Sequence, residues 1–228
     1  MKHQHHLLSA FLGLLSLTAT AQVISVHRNG QSFFHYDVGQ FETLIETTSP
    51  DHTLPGDTVV LPGGIITTGV LTLNKPLTFI GAGCLSTGTP VTNPTVLQGE
   101  AIPNNNLVIQ PGAAGTSFHG IRFDRRVIFP GPGLDIPGFS TRFERCAFSQ
   151  TLYLTNLGAP YFTPPSNVTL NGCVLEDGIF SNASTGPTNL ACSNSFIKGQ
   201  LAMNGDATNT VFAQCCLFAA AFTNYTYT

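Results

Sequence analysis

The sequence predicts an all-β solenoid, a right-handed parallel β-helix with a short N-terminal capping helix, and two observations carry that reading. The first is a repeat. Five segments read alike: FHGIRF from Phe118, FERCAF from Phe143, LNGCVL from Leu170, CSNSFI from Cys192 and FAQCCL from Phe212. Their spacings are 25, 27, 22 and 20 residues, about what one winding of three short strands takes, and similarity at such a period marks stacked repeats. The second is composition. Only 9% of residues are charged and 42% are hydrophobic, with 23 glycines and 15 prolines, which suits many short strands joined by turns and not long helices rich in Lys, Glu and Arg.

The first element along the chain is an address. Lys2 and three histidines precede an apolar run over residues 7–17, and Ala19-Thr20-Ala21 supplies a small-x-small cleavage pattern before Gln22. That run is shorter than the roughly 20 residues a membrane-spanning helix needs, so residues 1–21 read as a signal peptide and the product as secreted or held at the cell surface. No later run is long and apolar enough to span a bilayer. The formal charge of −3 becomes −4 once Lys2 is removed. Arg125-Arg126 and the Arg142/Arg145 pair are the only basic clusters, so nucleic acid is a poor partner.

The remaining chain divides into an N-terminal segment with the capping helix, 22–55, and the β-helix itself, 56–228, which three arrangements could end. The pattern FETLIE at residues 41–46 has helical spacing and precedes GDTVVLPGG at 56–64 and GVLTLNKPLTFIGAG at 69–83. This order of short helix and two strand-turn motifs resembles the N-terminal windings of secreted pectin-lyase-like β-helix proteins of Gram-negative bacteria. The likeness runs over about residues 38–220 and is strongest over 56–100. It implies that the helix caps the open end of the solenoid, and it specifies the fold better than any reaction.

Each repeated segment then reads as an apolar residue, a two-residue bend, and further apolar or small residues at offsets three and five. A third strand follows at residues 127–129, 152–154, 179–180 and 201–203. Asn171 and Asn194 fall in the bend, where an amide can bond backbone left unpaired by the corner. A leucine-rich repeat would show helical segments and a different leucine signature. An immunoglobulin-type sandwich would not make the same offsets recur five times.

The offsets also sort the residues that carry chemistry. Cys146, Cys173 and Cys215 share offset three, so Cys146 and Cys173 should stack about 4.8 Å apart, facing inward. Parallel side chains aim their sulfurs poorly at one another, so these read as buried thiols and not as disulfides. No C-x-x-C pair or His-rich spacing suggests a metal. Cys215 and Cys216 should face opposite ways, one of them outward.

At offset six stand Asp124, Ser149, Glu176, Lys198 and Phe218, with Arg125, Arg126 and Asp177 alongside. Asp124 and Glu176 would lie two windings apart, about 9.6 Å, at the outer edge of inverting-glycosidase spacing. Ser149 and Lys198 interrupt the column, so it reads as a solvated turn. Calcium-dependent lyases of the resembled family need acids on neighbouring windings, a pattern absent here. His27, His35, His52 and His119 are scattered, and His119 reads as a capped bend residue. The Asn-x-Ser/Thr triplets at Asn167, Asn182 and Asn224 read as turns.

Loops at 130–140, 155–167 and 182–188 each follow a third strand and should stack as a wall beside a groove. Tyr153, Tyr161 and Phe162 could stack there on sugar rings; Tyr161 and Phe162 otherwise tuck over the core edge. At the C-terminus, the alternatives are a truncated chain, an aromatic cap from Phe222 to Tyr227, or an edge that meets a partner end to end. The function read from the sequence is a secreted or cell-surface β-helix presenting a rigid surface to polysaccharide or cell-surface glycan, with no catalytic set, cofactor or metal ligands. The alternative is a carbohydrate-active enzyme, a polysaccharide lyase or glycoside hydrolase, of pectin-lyase-like type.

Overall fold

In the computed structural model, the structure describes residues 22–85, 93–101, 105–129, 140–154, 167–181, 189–203 and 210–223. The predicted signal peptide lies outside them. Strands form where buried and outward residues alternate, as in Thr116–His119, Ile121–Asp124 and Thr141–Glu144, because successive side chains of a strand point to opposite sides.

Among the described residues two sheets organise the chain, one of nine strands and one of twelve. In the first, Thr58–Val60, Thr78–Ile80, Thr116–His119, Thr141–Glu144, Val168–Asn171, Ala191–Ser193 and Val211–Ala213 pair successively in parallel. The second sheet has two legs. One runs from Gly64–Thr68 through Thr95–Gly99, Ile121–Asp124 and Ala147–Phe148 to Val174–Leu175. The other runs from Leu71–Leu73 through Asn106–Ile109, Arg126–Ile128 and Leu152–Tyr153 to Gly178–Ser181. Both legs join the long strand Phe196–Met203, which pairs onward with Cys216–Thr223. The chain therefore visits three faces in turn, and its parallel sheets nearly close round an axis in a solenoid-like winding.

The repeated segments occupy equivalent places. Phe118, Phe143, Leu170, Cys192 and Phe212 are partners in one column. Offset five forms a second column through Phe123, Phe148, Leu175, Ile197 and Leu217. Phenylalanines stack at the winding repeat: Phe79 on Phe118 at 5.0 Å and Phe118 on Phe143 at 5.1 Å, with ring planes nearly parallel. Phe123 meets Phe143 edge-on across the interior at 5.9 Å. Each such fully buried side chain contributes about 1.5–3 kcal/mol by leaving water.

The bend is a single left-handed residue at offset two. Gly120, Arg145, Gly172, Asn194 and Gln214 all have φ between 49° and 63°. Each of the first four still donates its N–H to the next winding, to Glu144, Asn171, Ser193 and Ala213 respectively. One residue thus turns the corner without breaking the ladder, which satisfies the backbone that a buried corner would otherwise strand. The expected two-residue bend is thus one residue: Asn194 stands at the corner, whereas Asn171 ends the strand Val168–Asn171, and the Asn194 amide donates to the Asn171 side chain at Oδ1, 3.1 Å away, and not to corner backbone.

The predicted helix is present as α1, Phe41–Glu46, with Phe41, Leu44 and Ile45 buried. Glu46 Oε1 accepts from the N–H of Thr72 at 2.7 Å, and Lys75 Nζ donates to Thr47 O at 2.7 Å. These bonds fasten the helix beside the first winding. The sequence reading did not include the hairpin that precedes it, Val23–Arg28 with Gln31–Asp37. Its turn residues Asn29 and Gly30 have φ of 52° and 77°, the backbone that an Asn-Gly hairpin turn requires. Val23–Arg28 also pairs antiparallel with Thr58–Val60, so the hairpin extends the nine-stranded sheet at its first winding.

Candidate functional site

The winding register brings outward residues together as well as inward ones. Ser117 and His119 share the outer side of one strand, Arg142 and Glu144 that of the next, and Ser117 pairs with Arg142 as His119 pairs with Glu144. His119 Nδ1 and Glu144 Oε2 lie 2.9 Å apart. Arg142 donates from Nη2 to Glu144 Oε1. Desolvation by itself would raise the Glu144 carboxyl, but the hydrogen bond and charge of Arg142, helped by His119, outweigh it and hold the group below the usual carboxylate range.

Beside this trio is an open hollow of about 370 Å³, lined by Ser117, His119, Ser140, Thr141, Arg142 and Asn167 among others. Thr141 Oγ1 is buried there without a hydrogen-bond partner. Asn167 stands in the left-handed region at φ 58°, and its Oδ1 accepts from Asn189 Nδ2 at 3.0 Å. Of the expected loop wall, only Ser140, Asn167 and neighbouring strand residues are described; residues 130–139, 155–166 and 182–188, with Tyr161, Phe162 and Asn182, lie outside the described residues, as does Asn224. The hollow can offer hydroxyls, one guanidinium and one imidazole to a polar ligand.

The acidic column lies on a different face and has another role. Arg122 Nε meets Asp124 Oδ1 at 2.8 Å, while its Nη1 meets Glu176 Oε1 at 2.9 Å. One guanidinium therefore ties together the two carboxylates that the spacing had set apart. Ser149 Oγ, between them in the column, donates to Phe123 O at 3.2 Å, and Asp177 accepts from Thr151 Oγ1 at 2.6 Å.

Arg125 departs from the solvated-turn reading. It is fully buried, donating to Thr68 Oγ1 at 2.6 Å, to Asn106 O at 3.0 Å and to Gly69 O. Burial drives its pKa down to about 10, opposed by the charge of Glu42. Sequence placed it beside Asp124 without showing that the chain turns between the two residues and sends Arg125 inward.

The offset-three cysteines take up the expected positions. Cys146 Sγ donates to Phe118 O at 3.5 Å and Cys173 Sγ to Phe143 O at 3.4 Å, each one winding back. Burial raises both thiols, Cys173 to about 11. Cys215 packs against the core and Cys216 is exposed. Among the described residues, no group of three His, Cys, Asp or Glu side chains could hold a metal ion.

Of the other singled-out residues, Tyr153 meets Phe180 edge-on at 5.6 Å with the Arg126 guanidinium 6.0 Å from its ring centre. His52 stacks on Tyr36 at 6.3 Å. His27 and His35 stand in the N-terminal hairpin, away from His119. Sequence reasoning missed Glu144 as the partner of His119, and Arg142 as the second partner of Glu144. Their signal was the repeat itself, since His119 and Glu144 both stand at offset one.

Comparison with protein families, curated proteins and solved structures finds no match to this chain.

Proposed function

We propose that this chain is an exported, right-handed parallel β-helix of pectin-lyase-like type that presents a rigid lateral surface to polysaccharide or another cell-surface glycan. The observation that carries the reading is the polar hollow beside His119 and Arg142, built on strands whose inward sides are locked into the phenylalanine stack. A rigid sheet holds donors and acceptors at fixed separations, which lowers the ordering cost of binding a polyol. The test is a glycan array and turnover panel on the purified chain: binding should weaken at least about tenfold in Arg142→Ala and His119→Ala. Absence of binding to every glycan, or equal binding by these variants, would overturn the reading.

A second reading, a carbohydrate-active enzyme, is favoured by one contact. Glu144 orients the His119 imidazole, the pairing that lets a histidine act as a general base. Asp124 and Glu176 support it less, because Arg122 engages both carboxylates. Release of unsaturated or reducing ends from polyuronates, abolished in His119→Ala, would establish the enzyme and displace the binding-only account.

A further inference from the structure

Cys192 and Cys215 are the one pair among the described cysteines whose sulfurs meet in a thiol contact, with Sγ 3.7 Å from Sγ. Their geometry differs from that of Cys146 and Cys173. The latter share one offset, so their side chains run parallel and each thiol turns to a carbonyl one winding back. Cys192 stands at offset zero, before the corner, in Ala191–Ser193. Cys215 stands at offset three of the next winding, after the left-handed corner at Gln214 with φ 54°. Inward side chains on the two sides of a corner converge. Cys215 Sγ also lies 3.4 Å from Cys192 O, which fixes it against the earlier winding.

We propose that Cys192 and Cys215 are an oxidisable pair that forms a disulfide between successive windings. Closing the gap from van der Waals contact to a bond of about 2.05 Å requires the two side chains to rotate toward one another. The oxidant is a disulfide, either a small molecule or a dithiol oxidase. The Cys215 thiolate attacks one sulfur of the oxidant, giving a mixed disulfide and releasing one thiolate. The Cys192 sulfur, having passed its proton to water, attacks the Cys215 sulfur and expels the second thiolate. Two protein thiols become one disulfide as one oxidant disulfide becomes two thiols.

Accessibility sets the order of these steps. Cys215 is half-buried while Cys192 is 1% exposed, so the oxidant reaches Cys215 first. Burial raises the Cys192 thiol, with Cys215 beside it adding to the shift, which makes ring closure the slow step. Neighbouring Cys216 faces solvent and is the competing target. The bond would fasten the strand Val211–Ala213 to Ala191–Ser193, whose ladder already pairs Cys192 with Phe212.

The experiment is oxidation of the reduced, folded full chain by oxidised glutathione, followed by digestion without reduction and mass mapping. The expected product is a peptide pair joining Cys192 to Cys215, lighter by two hydrogens than the free peptides. It should persist in Cys216→Ala and vanish in Cys215→Ala, a half-buried site where loss of the thiol spares the core. Amides of 191–203 and 211–218 should exchange at least about tenfold more slowly in the oxidised chain. The proposal is overturned if glutathione stays on Cys215 or Cys216 without transfer. It is equally overturned if the link joins Cys215 to Cys216, or if it forms only in denaturant.

Discussion

His119 and Glu144 are 25 residues apart in the chain, yet His119 Nδ1 and Glu144 Oε2 approach to 2.9 Å. The contact follows from register. Phe118 pairs with Phe143 on the inner side, so the residues one position on meet on the outer side. Core packing therefore dictates which polar groups face the hollow, and a change in winding length would separate them.

Acid should weaken the fold partly through Glu144. Its folded carboxyl titrates below the usual range, so between the folded and unfolded pKa values the unfolded chain binds more protons. Stability from this group is fully present above the ordinary glutamate pKa of about 4.3 and is lost as pH falls through the lower, folded value. Denaturant midpoints from pH 7 down to pH 3 should fall less steeply in Glu144→Gln than in the parent. Identical slopes would mean that the carboxylate gains nothing from Arg142 and His119.

The corner residue predicts two substitutions of opposite sign. Arg145 adopts φ 49° and Gly172 φ 63° at equivalent corners. Arg145→Gly should stabilise the chain by about 0.5–1 kcal/mol, and Gly172→Ala should destabilise it by about 1 kcal/mol. A Cβ at Gly172 would meet only ordinary contact, with Arg145 Cγ at 3.5 Å, so conformation decides the cost. At Gly178 the same substitution would put Cβ 2.0 Å from Gln200 O on the next winding, so Gly178→Ala should cost well beyond that. Equilibrium unfolding of the three variants checks the order.

Phe143→Ala should cost about 3–5 kcal/mol, the range for emptying a phenylalanine site in a core. Its ring stacks on Phe118 and meets Phe123 and Phe148 edge-on at 5.9 and 5.2 Å. Tyr153→Ala, on the outer side of its strand, should cost much less. Urea denaturation that ranks Tyr153→Ala above Phe143→Ala would contradict the assignment of inner and outer sides.

Thiol reactivity should follow burial. Cys146 and Cys173 are buried with raised pKa values, and the thiolate is the reactive form. Iodoacetamide on the folded, reduced chain should label Cys216 first and leave Cys146 and Cys173 unlabelled until the chain unfolds. Early labelling of Cys146 would show that its column opens to solvent.

The winding register was legible because it rests on side-chain size and polarity at fixed offsets: Phe118, Phe143, Leu170, Cys192 and Phe212 align as their segments do. The short helix was legible from its spacing. The Asn29-Gly30 hairpin carries a turn signal but lies outside the repeat. Arg125 was misread because charge suggests solvent, whereas here the corner backbone, not the side chain's preference, sets its direction. The His119 and Glu144 contact was encoded in the offsets, but only once they are applied to outward positions. The Arg122 bridge is different, since reaching two carboxylates depends on a long side chain's path that spacing does not encode.

The most direct test of the winding itself is isotope-edited NMR of contacts around Phe143. Stacked parallel windings predict cross-peaks from the Phe143 ring to both the Phe118 ring and the Leu170 methyls, with no close Hα–Hα pair across either ladder. Close Hα–Hα cross-peaks from Phe143 to a facing strand, without contact to Phe118 or Leu170, would indicate an antiparallel sandwich and contradict the account.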